Sequence, residues 1–274
     1  MVKQKKVTKT SIAKELGVSR QSLYYRSRQI SKDEVLKEQI LKVLELHPSY
    51  GYRRLAIALG INKKRIQRVK QKYRIKPYKR KIRLLKRLDL QREPMPYPNM
   101  VKGSCPIRSN TMYASDFTYL RYRSKFYYLA TVIDLYTREI VGWEISKRHD
   151  KYLILKALIN GLTNTNFKIP YIIHSDQGSE YCSKEYTQFL KYLGINISMS
   201  TKASPWENGY QEGFYSGFKT DLGLEFERFK TLGEFVEGIH QTINYYNKSR
   251  IHTALRMSPS QFRRLNNLSR KRGS

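Results

Sequence analysis

The chain has 274 residues, with 53 Lys and Arg against 22 Asp and Glu, and its formal net charge at pH 7 is +31. Hydrophobic residues make up 40% of the sequence and aromatic residues 12%, which is enough for a packed core and excludes general disorder. A positive charge of this size favours an acidic partner, and nucleic acid is the first candidate.

Cysteine content and hydropathy exclude several classes of protein. The two cysteines, Cys105 and Cys182, are too few for a disulfide framework or a zinc cluster. No apolar run approaches the roughly 18 residues of a membrane span, and the lysine-rich start contains no apolar signal core. We therefore expect a protein of a reducing cytoplasm that has no membrane partner.

The positive charge is concentrated in the first part of the chain. Residues 1–100 contain 28 basic and 7 acidic side chains, whereas residues 101–274 contain 25 and 15. This difference predicts that the two parts have different tasks.

Residues 10–26 have the layout of a helix-turn-helix. Apolar residues recur at helical spacing, at Ile12, Leu16, Val18 and Leu23. Gly17 interrupts the pattern, and Ser19 is placed to cap a second helix, on which Arg20 is a candidate DNA contact. The second helix of such a motif lies in the major groove, so we expect DNA binding here; an ordinary helical hairpin is the alternative.

Residues 31–72 repeat this design. The segment 31–46 is amphipathic, with an expected inward face of Val35, Ile40, Val43 and Leu44. Residues 50–72 then give an apolar helix, a turn at Gly60 and a basic helix capped by Asn62. The candidate DNA contacts on this last helix are Lys63, Lys64, Arg65 and Arg68.

A basic and proline-rich stretch follows the helices. Residues 76–92 are strongly basic, and residues 93–106 contain four prolines. We interpret this region as a linker with a positive stripe that follows a nucleic-acid backbone.

Beyond residue 110 the pattern predicts strands alternating with helices. Strands are predicted at 112–122, 126–133, 139–145, 171–174 and 195–198. Helices are predicted at 152–162, 184–193, 206–222 and 232–247. The first three strands are typical of an antiparallel meander, and the alternation that follows predicts a mixed α/β sheet with helices on both faces.

Three acidic residues lie within or at the ends of these elements. Asp116 lies inside the first strand, Asp176 comes two residues after the fourth, and Glu212 lies on the third of these helices. Thirty-five residues separate Asp176 from Glu212. An Asp in an apolar strand is costly unless it is paired, hydrogen-bonded or bound to metal. Clustered carboxylates repel one another unless a cation neutralises them, and Mg²⁺ prefers oxygen ligands. The sequence therefore predicts a divalent-metal site.

The helix that carries Glu212 has two further features. Lys219 follows Glu212 by two helical turns and Asn208 precedes it by four residues, so that the three share one face. Glycine also recurs there every four residues, at Gly209, Gly213 and Gly217. Each glycine costs about 1 kcal/mol of helix propensity relative to Ala. We interpret the stripe as allowing close approach of the sheet or of DNA; a loop that orders on substrate binding is the alternative.

Other candidate residues have more ordinary interpretations. Asp134 is expected to be a turn acid paired with Arg138 rather than a metal ligand. Glu207 is expected to be a first-turn helix acid, although it is the main rival of Glu212 as third ligand. His174 is interpreted either as a core histidine or as a contact near the site.

Four segments of the chain resemble the integrase core of bacterial insertion-sequence transposases of the IS3 type: DFTYLRYRSKFYYLATVIDLYTREIVGWEIS, IIHSDQGSEYCSKEY, SPWENGYQEGFYSGFK and YYNKSRIHTALRMSPSQF. That core is related to retroviral integrases. Two earlier segments, GVSRQSLYYR and HPSYGYRRLAIALGINKKRIQRVK, resemble the helix-turn-helix region that precedes the core in the second-frame product of these elements. The resemblance covers residues 10 to 262.

The resemblance implies an RNase H-like mixed α/β core preceded by all-α helix-turn-helix modules. It also implies a DDE catalytic triad of Asp116, Asp176 and Glu212, which would hold Mg²⁺ or Mn²⁺, with two ions expected per active site. Lys219 matches a basic residue that would touch DNA near the scissile phosphate. His252 lies in the family's C-terminal signature, and we expect a packing or DNA-backbone role for it.

We expect five regions along the chain. These are a helix-turn-helix segment at 1–30, a second helix-turn-helix module at 31–76, a linker at 77–110, the integrase core at 111–250 and a basic tail at 251–274.

The hypothesis is a DNA transposase that nicks DNA at insertion-sequence ends and transfers the freed 3′-OH to another phosphodiester. Expected partners are terminal-repeat and target DNA, a second copy of the chain, and the upstream first-frame product with which family members commonly act. The cell location implied is the bacterial cytoplasm, at the nucleoid. Two alternatives are a non-catalytic DNA-binding regulator with a degenerate core and an RNase H-like nuclease.

Overall fold

A five-stranded mixed sheet organises the larger part of the chain. The computed structural model describes residues 8–24, 28–79, 96–201, 209–223 and 228–271. The strands are β1 Met112–Tyr122, β2 Lys125–Asp134, β3 Ile140–Ser146, β4 Ile172–Ser175 and β5 Asn196–Met199. Their order in the sheet is β3-β2-β1-β4-β5. The antiparallel meander of β1 to β3 is confirmed, and β4 and β5 add to it in parallel.

Helices cover both faces of this sheet, as predicted. They are α5 Lys151–Asn164, α6 Lys184–Tyr192, α7 Gly209–Asp221 and α8 Leu232–Lys248. One core lies between the sheet and α7 and α8, and includes Leu129, Phe214 and Phe235. The other lies under α5 and α6, and includes Val132 and Leu158. The predicted strands and helices of this region agree with the observed bounds to within two residues, apart from the start of the helix predicted at 206–222, because residues 206–208 lie outside the described part of the chain.

The helices α2 Arg28–Leu46, α3 Tyr52–Leu59 and α4 Lys63–Lys72 form a separate apolar core. Its fully buried members are Leu36, Ile40, Tyr50, Leu55, Ile66 and Val69. The predicted turn and cap are confirmed, since Gly60 has a left-handed backbone (φ 64°) and the Asn62 side chain accepts from the Lys64 N–H. The predicted inward face of α2 was wrong at Val35, which is 57% exposed, because the helix turns Leu36 inward instead.

The first helix-turn-helix differs from its prediction. α1 spans Lys9–Glu15, but the second element, Arg20–Tyr24, is a single 3₁₀ turn. Leu16 and Val18 are exposed, and Ala13 is the only hydrophobic side chain buried in the described part of this segment. A short element with so little apolar surface to bury gains too little packing to propagate an α-helix. Residues 25–27 lie outside the described part of the chain.

The C-terminal segment, expected as a basic tail, forms helix α9 Pro259–Lys271. Proline is favoured in the first turn of a helix, where its missing N–H is not needed. The helix is held to the core by Glu139, which accepts from Ser260 Oγ at 2.9 Å and pairs with Arg263 at 2.9 Å. Most of the basic stretch of the expected linker, residues 80–95, lies outside the described residues. No helix in the described ranges combines the length and apolar character that a bilayer crossing requires.

The three-helix unit α2–α4 contacts the sheet domain through polar groups at the ends of α7 and α8. Ser49 Oγ donates to the Asp221 carboxylate at 2.6 Å, and the Arg54 guanidinium donates to the Ile251 carbonyl at 2.9 Å. His47 Nδ1 lies 2.7 Å from the Tyr245 hydroxyl. The basic helix α4 is thereby tied to the helix that carries Glu212.

His252 lies half-buried next to this contact, and its environment predicts a pH dependence of stability. Burial, together with the charges of Arg138, Arg54 and Arg250, lowers the pKa of His252 from 6.5 to about 4. Between pH 6.5 and pH 4 this histidine binds a proton in the unfolded chain but not in the folded chain. The free energy of unfolding therefore falls as the pH drops through this range. We expect this to cost at most about 3 kcal/mol. Urea unfolding of wild type and His252→Gln at pH 7.5 and 5.0 should show a smaller acid loss in the variant; equal losses would contradict the prediction.

Candidate active site

The register of β1 and β4 brings two of the predicted acids together. The last pair of these parallel strands is Ala114 with His174, and each acid lies two residues beyond that pair. Parallel neighbours at one level point their side chains to the same face of the sheet. The charge of Asp176 also raises the pKa of Asp116, so the two carboxylates lie near each other where β4 ends.

The turn after β4 fixes the Asp176 side chain. The Gly178 N–H donates to Asp176 Oδ1 at 2.9 Å. A Cβ on Gly178 would lie 3.1 Å from both this oxygen and an oxygen of Glu180, so glycine keeps the turn free of crowding. His174 is buried, with Nδ1 2.9 Å from Ser198 Oγ, which agrees with the core-histidine interpretation.

Two side chains that were not predicted as site residues anchor α7 onto the sheet beside Asp116. Gln211 is fully buried, and its amide nitrogen donates to the Ala114 carbonyl at 2.7 Å and to the Thr131 carbonyl at 3.2 Å. One helical turn later, the Tyr215 hydroxyl donates to the Asp116 carbonyl at 2.6 Å. The available signal was the i, i+4 spacing of two polar side chains on the apolar face of this helix.

These anchors place Glu212 and Lys219 over the same end of the sheet. Glu212 directly follows Gln211 and is exposed to solvent. The Lys219 ammonium lies 4.8 Å from the ring centroid of Tyr119, three residues beyond Asp116 on β1. The charges of Glu212 and Lys219 both affect the pKa of Asp116, so both side chains lie within electrostatic range of it.

The electrostatics of Asp116 indicate an excess of negative charge. Burial, the charge of Asp176 and then that of Glu212 raise the pKa of Asp116 from 3.8 to about 7, against the opposing effect of Lys219. Burial also raises the pKa of Asp176. In the described residues, no three His, Cys, Asp or Glu side chains are gathered closely enough to hold a metal ion. By donor type and charge, however, the three carboxylates fit a hard divalent cation.

Several other predicted site residues have different surroundings. Glu207 and Asn208 lie outside the described residues. Asp134 is buried and accepts backbone N–H groups of Asn110, Tyr136 and Thr137. The expected pairing with Arg138 was wrong, because backbone donors satisfy this carboxylate and the Arg138 guanidinium lies 3.9 Å from the ring centroid of Tyr210.

The glycine stripe of α7 has two kinds of surroundings. A Cβ on Gly217 would lie 2.9 Å from the guanidinium of Arg250, which forms an ion pair with Asp221 at 2.5 Å. Nothing in the described part of the chain lies within 4 Å of a Cβ added at Gly209 or Gly213. Packing against the sheet therefore does not explain these two glycines, and close approach of DNA stays a prediction.

The side chains predicted to contact DNA differ in the contacts that they make within the protein. Lys63, Lys64 and Arg65 at the start of α4 are exposed, as is Arg20 on the 3₁₀ turn. The guanidinium of Arg68, in contrast, forms two hydrogen bonds with the buried Asp33 carboxylate, at 2.5 and 2.8 Å. This ion pair ties α4 to α2, so Arg68 has a structural contact in addition to its predicted role.

Comparison with known proteins identifies the family. Two family models described as "Integrase core domain" match residues 106–205 and 193–259. The transposase for insertion sequence element IS904 of Lactococcus lactis is 32% identical over 257 residues, covering 88% of this chain and 98% of that protein. Transposase InsF for IS3A of Escherichia coli is 34% identical over 163 residues, covering 57% and 55%. The chain belongs to the IS3-type family of insertion-sequence transposases.

The fold of this transposase also matches a solved integrase structure. The intasome of simian T-cell lymphotropic virus, determined in complex with a PP2A regulatory subunit, aligns with a TM-score of 0.53 at 16% identity. The alignment covers 82% of this chain and 74% of the viral chain. The predicted RNase H-like α/β core is thus confirmed.

Proposed function

We propose that this transposase cleaves a DNA strand at the ends of an insertion sequence and joins the freed 3′-OH to a second phosphodiester. The observation that supports the proposal is that Asp116 and Asp176 each lie two residues beyond the last β1–β4 pair, and that the charges of Asp176 and Glu212 both raise the pKa of Asp116. A DNA-binding regulator has no need of three carboxylates within electrostatic range of one another, whereas metal-dependent phosphodiester chemistry uses such a set.

Asp116, Asp176 and Glu212 are the residues that would hold divalent ions, Mg²⁺ or Mn²⁺, with two per site. When bound, such ions supply charge stabilisation for the attacking and leaving oxygens of an in-line displacement. The raised pKa of Asp116 supports this assignment, because a carboxylate repelled by its neighbours gains most from a cation.

The rest of the site positions DNA and the carboxylates. Gln211 and Tyr215 hold α7 in register with the strand that carries Asp116, which limits the positions open to Glu212. The exposed lysines and arginine at the start of α4 would contact phosphates of the element end. The contact between α2–α4 and the end of α7 would keep bound DNA at a fixed distance from the carboxylates.

The proposed reaction implies an assembly, DNA partners and a location in the cell. Two element ends must meet, so we expect an assembly of at least two copies, acting on terminal-repeat and target DNA with the upstream first-frame product. We place this activity in the bacterial cytoplasm, at the nucleoid.

The proposal is tested by the metal dependence of cleavage. Labelled DNA carrying the element's terminal repeat is incubated with the chain in Mg²⁺, in Mn²⁺ and in EDTA. A nick at the element end that appears with either ion and disappears in EDTA is expected. Nicking that persists in EDTA would overturn the metal assignment, and binding of terminal-repeat DNA without nicking in the presence of the upstream product would favour the regulator.

Lys219→Ala is expected to lower strand joining about tenfold or more while leaving metal dependence unchanged. Its ammonium lies near both Asp116 and Tyr119, where it would contact a phosphate next to the scissile one. The Mg²⁺ concentration giving half-maximal activity should stay within about twofold of the wild-type value. Lys191→Ala on α6 is the matched control. A Lys219→Ala chain that joins DNA at the wild-type rate would rule out this role.

A further inference from the structure

The β1–β2 hairpin carries exposed aromatic side chains beside Lys219. Tyr119 is 60% exposed and Phe126 is 53% exposed. Their ring centroids lie 5.8 Å apart with the planes at 85°. Two large exposed aromatic rings in contact form an apolar surface patch, which is a candidate binding surface where further aromatic and charged groups adjoin it.

Strand register places these rings on one face with further aromatic side chains. Across the hairpin Tyr119 pairs with Tyr128 and Arg121 pairs with Phe126, so all four side chains share a face. Phe117 continues the row and packs edge-on against Tyr128, with centroids 6.3 Å apart. The row therefore begins at the residue after Asp116 and runs towards the end of the hairpin. Because successive side chains of a strand alternate, it lies on the opposite face of β1 from the Asp116 carboxylate.

The row is bordered by positive charge. The Lys219 ammonium lies 4.8 Å from the Tyr119 ring centroid, and Arg121 is exposed beside it. Arg123 and Lys125 at the turn of the hairpin are also exposed. Aromatic faces beside cations suit a nucleic-acid strand, because bases stack on the rings while the cations meet the phosphates.

The distance of Tyr119 from Asp116 determines which part of a bound DNA could contact the aromatic row. Three residues of strand separate Asp116 from Tyr119, a distance of about 10 Å. In the described residues β4 pairs with β1 only over Met112–Ala114, so neither β4 nor another described strand pairs with that side of β1 beyond Asp116. α7 packs on the face of β1 that carries Asp116, and the Lys219 ammonium still lies 4.8 Å from the ring centroid of Tyr119, so a DNA strand passing this free edge of β1 could contact both faces.

We propose that Tyr119 and Phe126 form a stacking site for an unpaired nucleobase of the DNA strand that enters the active site, with Arg121 and Lys219 contacting its flanking phosphates. This inference rests on the proposed function, because it assumes that the carboxylates act on DNA. A base is available for stacking only when it is unpaired, so the site selects DNA ends that are frayed or single-stranded next to the cleavage position.

The test measures DNA binding by a chain that is expected not to cleave DNA. In a Glu212→Gln background, fluorescence anisotropy gives the dissociation constants of a blunt duplex and of the same duplex with a two-nucleotide single-stranded end containing 2-aminopurine. We expect the overhang to bind about five- to a hundredfold more tightly, with quenching of 2-aminopurine fluorescence. Adding Tyr119→Leu should abolish the preference and the quenching while blunt-duplex affinity stays within about twofold.

Tyr192→Leu is the matched control, because Tyr192 is 87% exposed on α6 and lies outside the row. It should keep the preference, and Phe126→Leu should reduce it by a smaller factor than Tyr119→Leu. A preference that survives in Tyr119→Leu, or that is missing in the parent chain, would overturn the inference. Failure of the proposed function is separately visible, since it abolishes metal-dependent nicking by the wild-type chain without affecting this binding ratio.

Discussion

Replacing Asp116 by Asn is expected to abolish DNA strand cleavage, by at least about a thousandfold, while DNA affinity stays within about twofold of wild type. The amide keeps the size of the side chain but removes the negative charge that a divalent ion requires. Glu237→Gln is the control, because this acid is exposed on α8. Cleavage by Asp116→Asn at more than a few per cent of the wild-type rate would contradict the assignment.

The same substitution should make the metal-free protein more stable at neutral pH. The pKa of Asp116 is raised from 3.8 to about 7 by burial and by its acidic neighbours, so the folded state loses stability as pH rises between these values. At pH 8 in EDTA, Asp116→Asn should gain up to about 4 kcal/mol of unfolding free energy, the equivalent of that pKa change. At pH 4 the two chains should differ little. A variant less stable than wild type at pH 8 would contradict this account of the site.

Replacing Gly142 by Ala is expected to cost more than about 4 kcal/mol and to leave little folded protein. Gly142 lies on β3 where α5 crosses, and an added Cβ would lie 2.2 Å from the Ala157 carbonyl oxygen and 2.4 Å from the Gly161 nitrogen. Both are backbone atoms within regular elements, so neither can move aside as a flexible side chain could. The strand and the helix would have to separate.

Gly213→Ala on α7 is the matched control for this substitution. Nothing in the described residues lies within 4 Å of a Cβ at this position, so the exchange should stabilise the chain by up to about 1 kcal/mol through helix propensity. The midpoint temperature of thermal unfolding and the yield of folded protein should therefore both fall for Gly142→Ala, whereas neither should fall for Gly213→Ala. A Gly142→Ala chain that melts within about 2 °C of wild type would show that β3 and α5 do not pack this closely.

Much of the fold could be predicted because its signals are local. The alternation of apolar side chains and the short turns define β1 to β3, and Gly60 and Asn62 mark a helix end and a helix start. Asp116 and Asp176 could be singled out because each interrupts or ends an apolar strand. Their closeness follows from parallel pairing of β1 with β4, which the sequence suggests only through the predicted mixed sheet.

What could not be predicted depends on contacts between distant parts of the chain. The sequence shows that Gln211 neighbours Glu212, but not that its amide is buried against two strand carbonyls. In the sequence Arg68 does not differ from the other basic residues of α4, and only the structure shows its ion pair with Asp33 on α2. Helix α9 was missed for the same reason, since Glu139, which holds it, lies more than a hundred residues earlier.

Asp116, Asp176 and Glu212 are proposed to carry out strand transfer together. A strand-transfer assay tests this proposal most directly: the element's own terminal DNA, Mg²⁺ or Mn²⁺, and the upstream first-frame product are combined with either the intact chain or its Glu212→Gln form. Joined product that requires the metal and is lost in the Glu212→Gln form is the predicted result. Equal amounts of joined product from both chains would contradict the account.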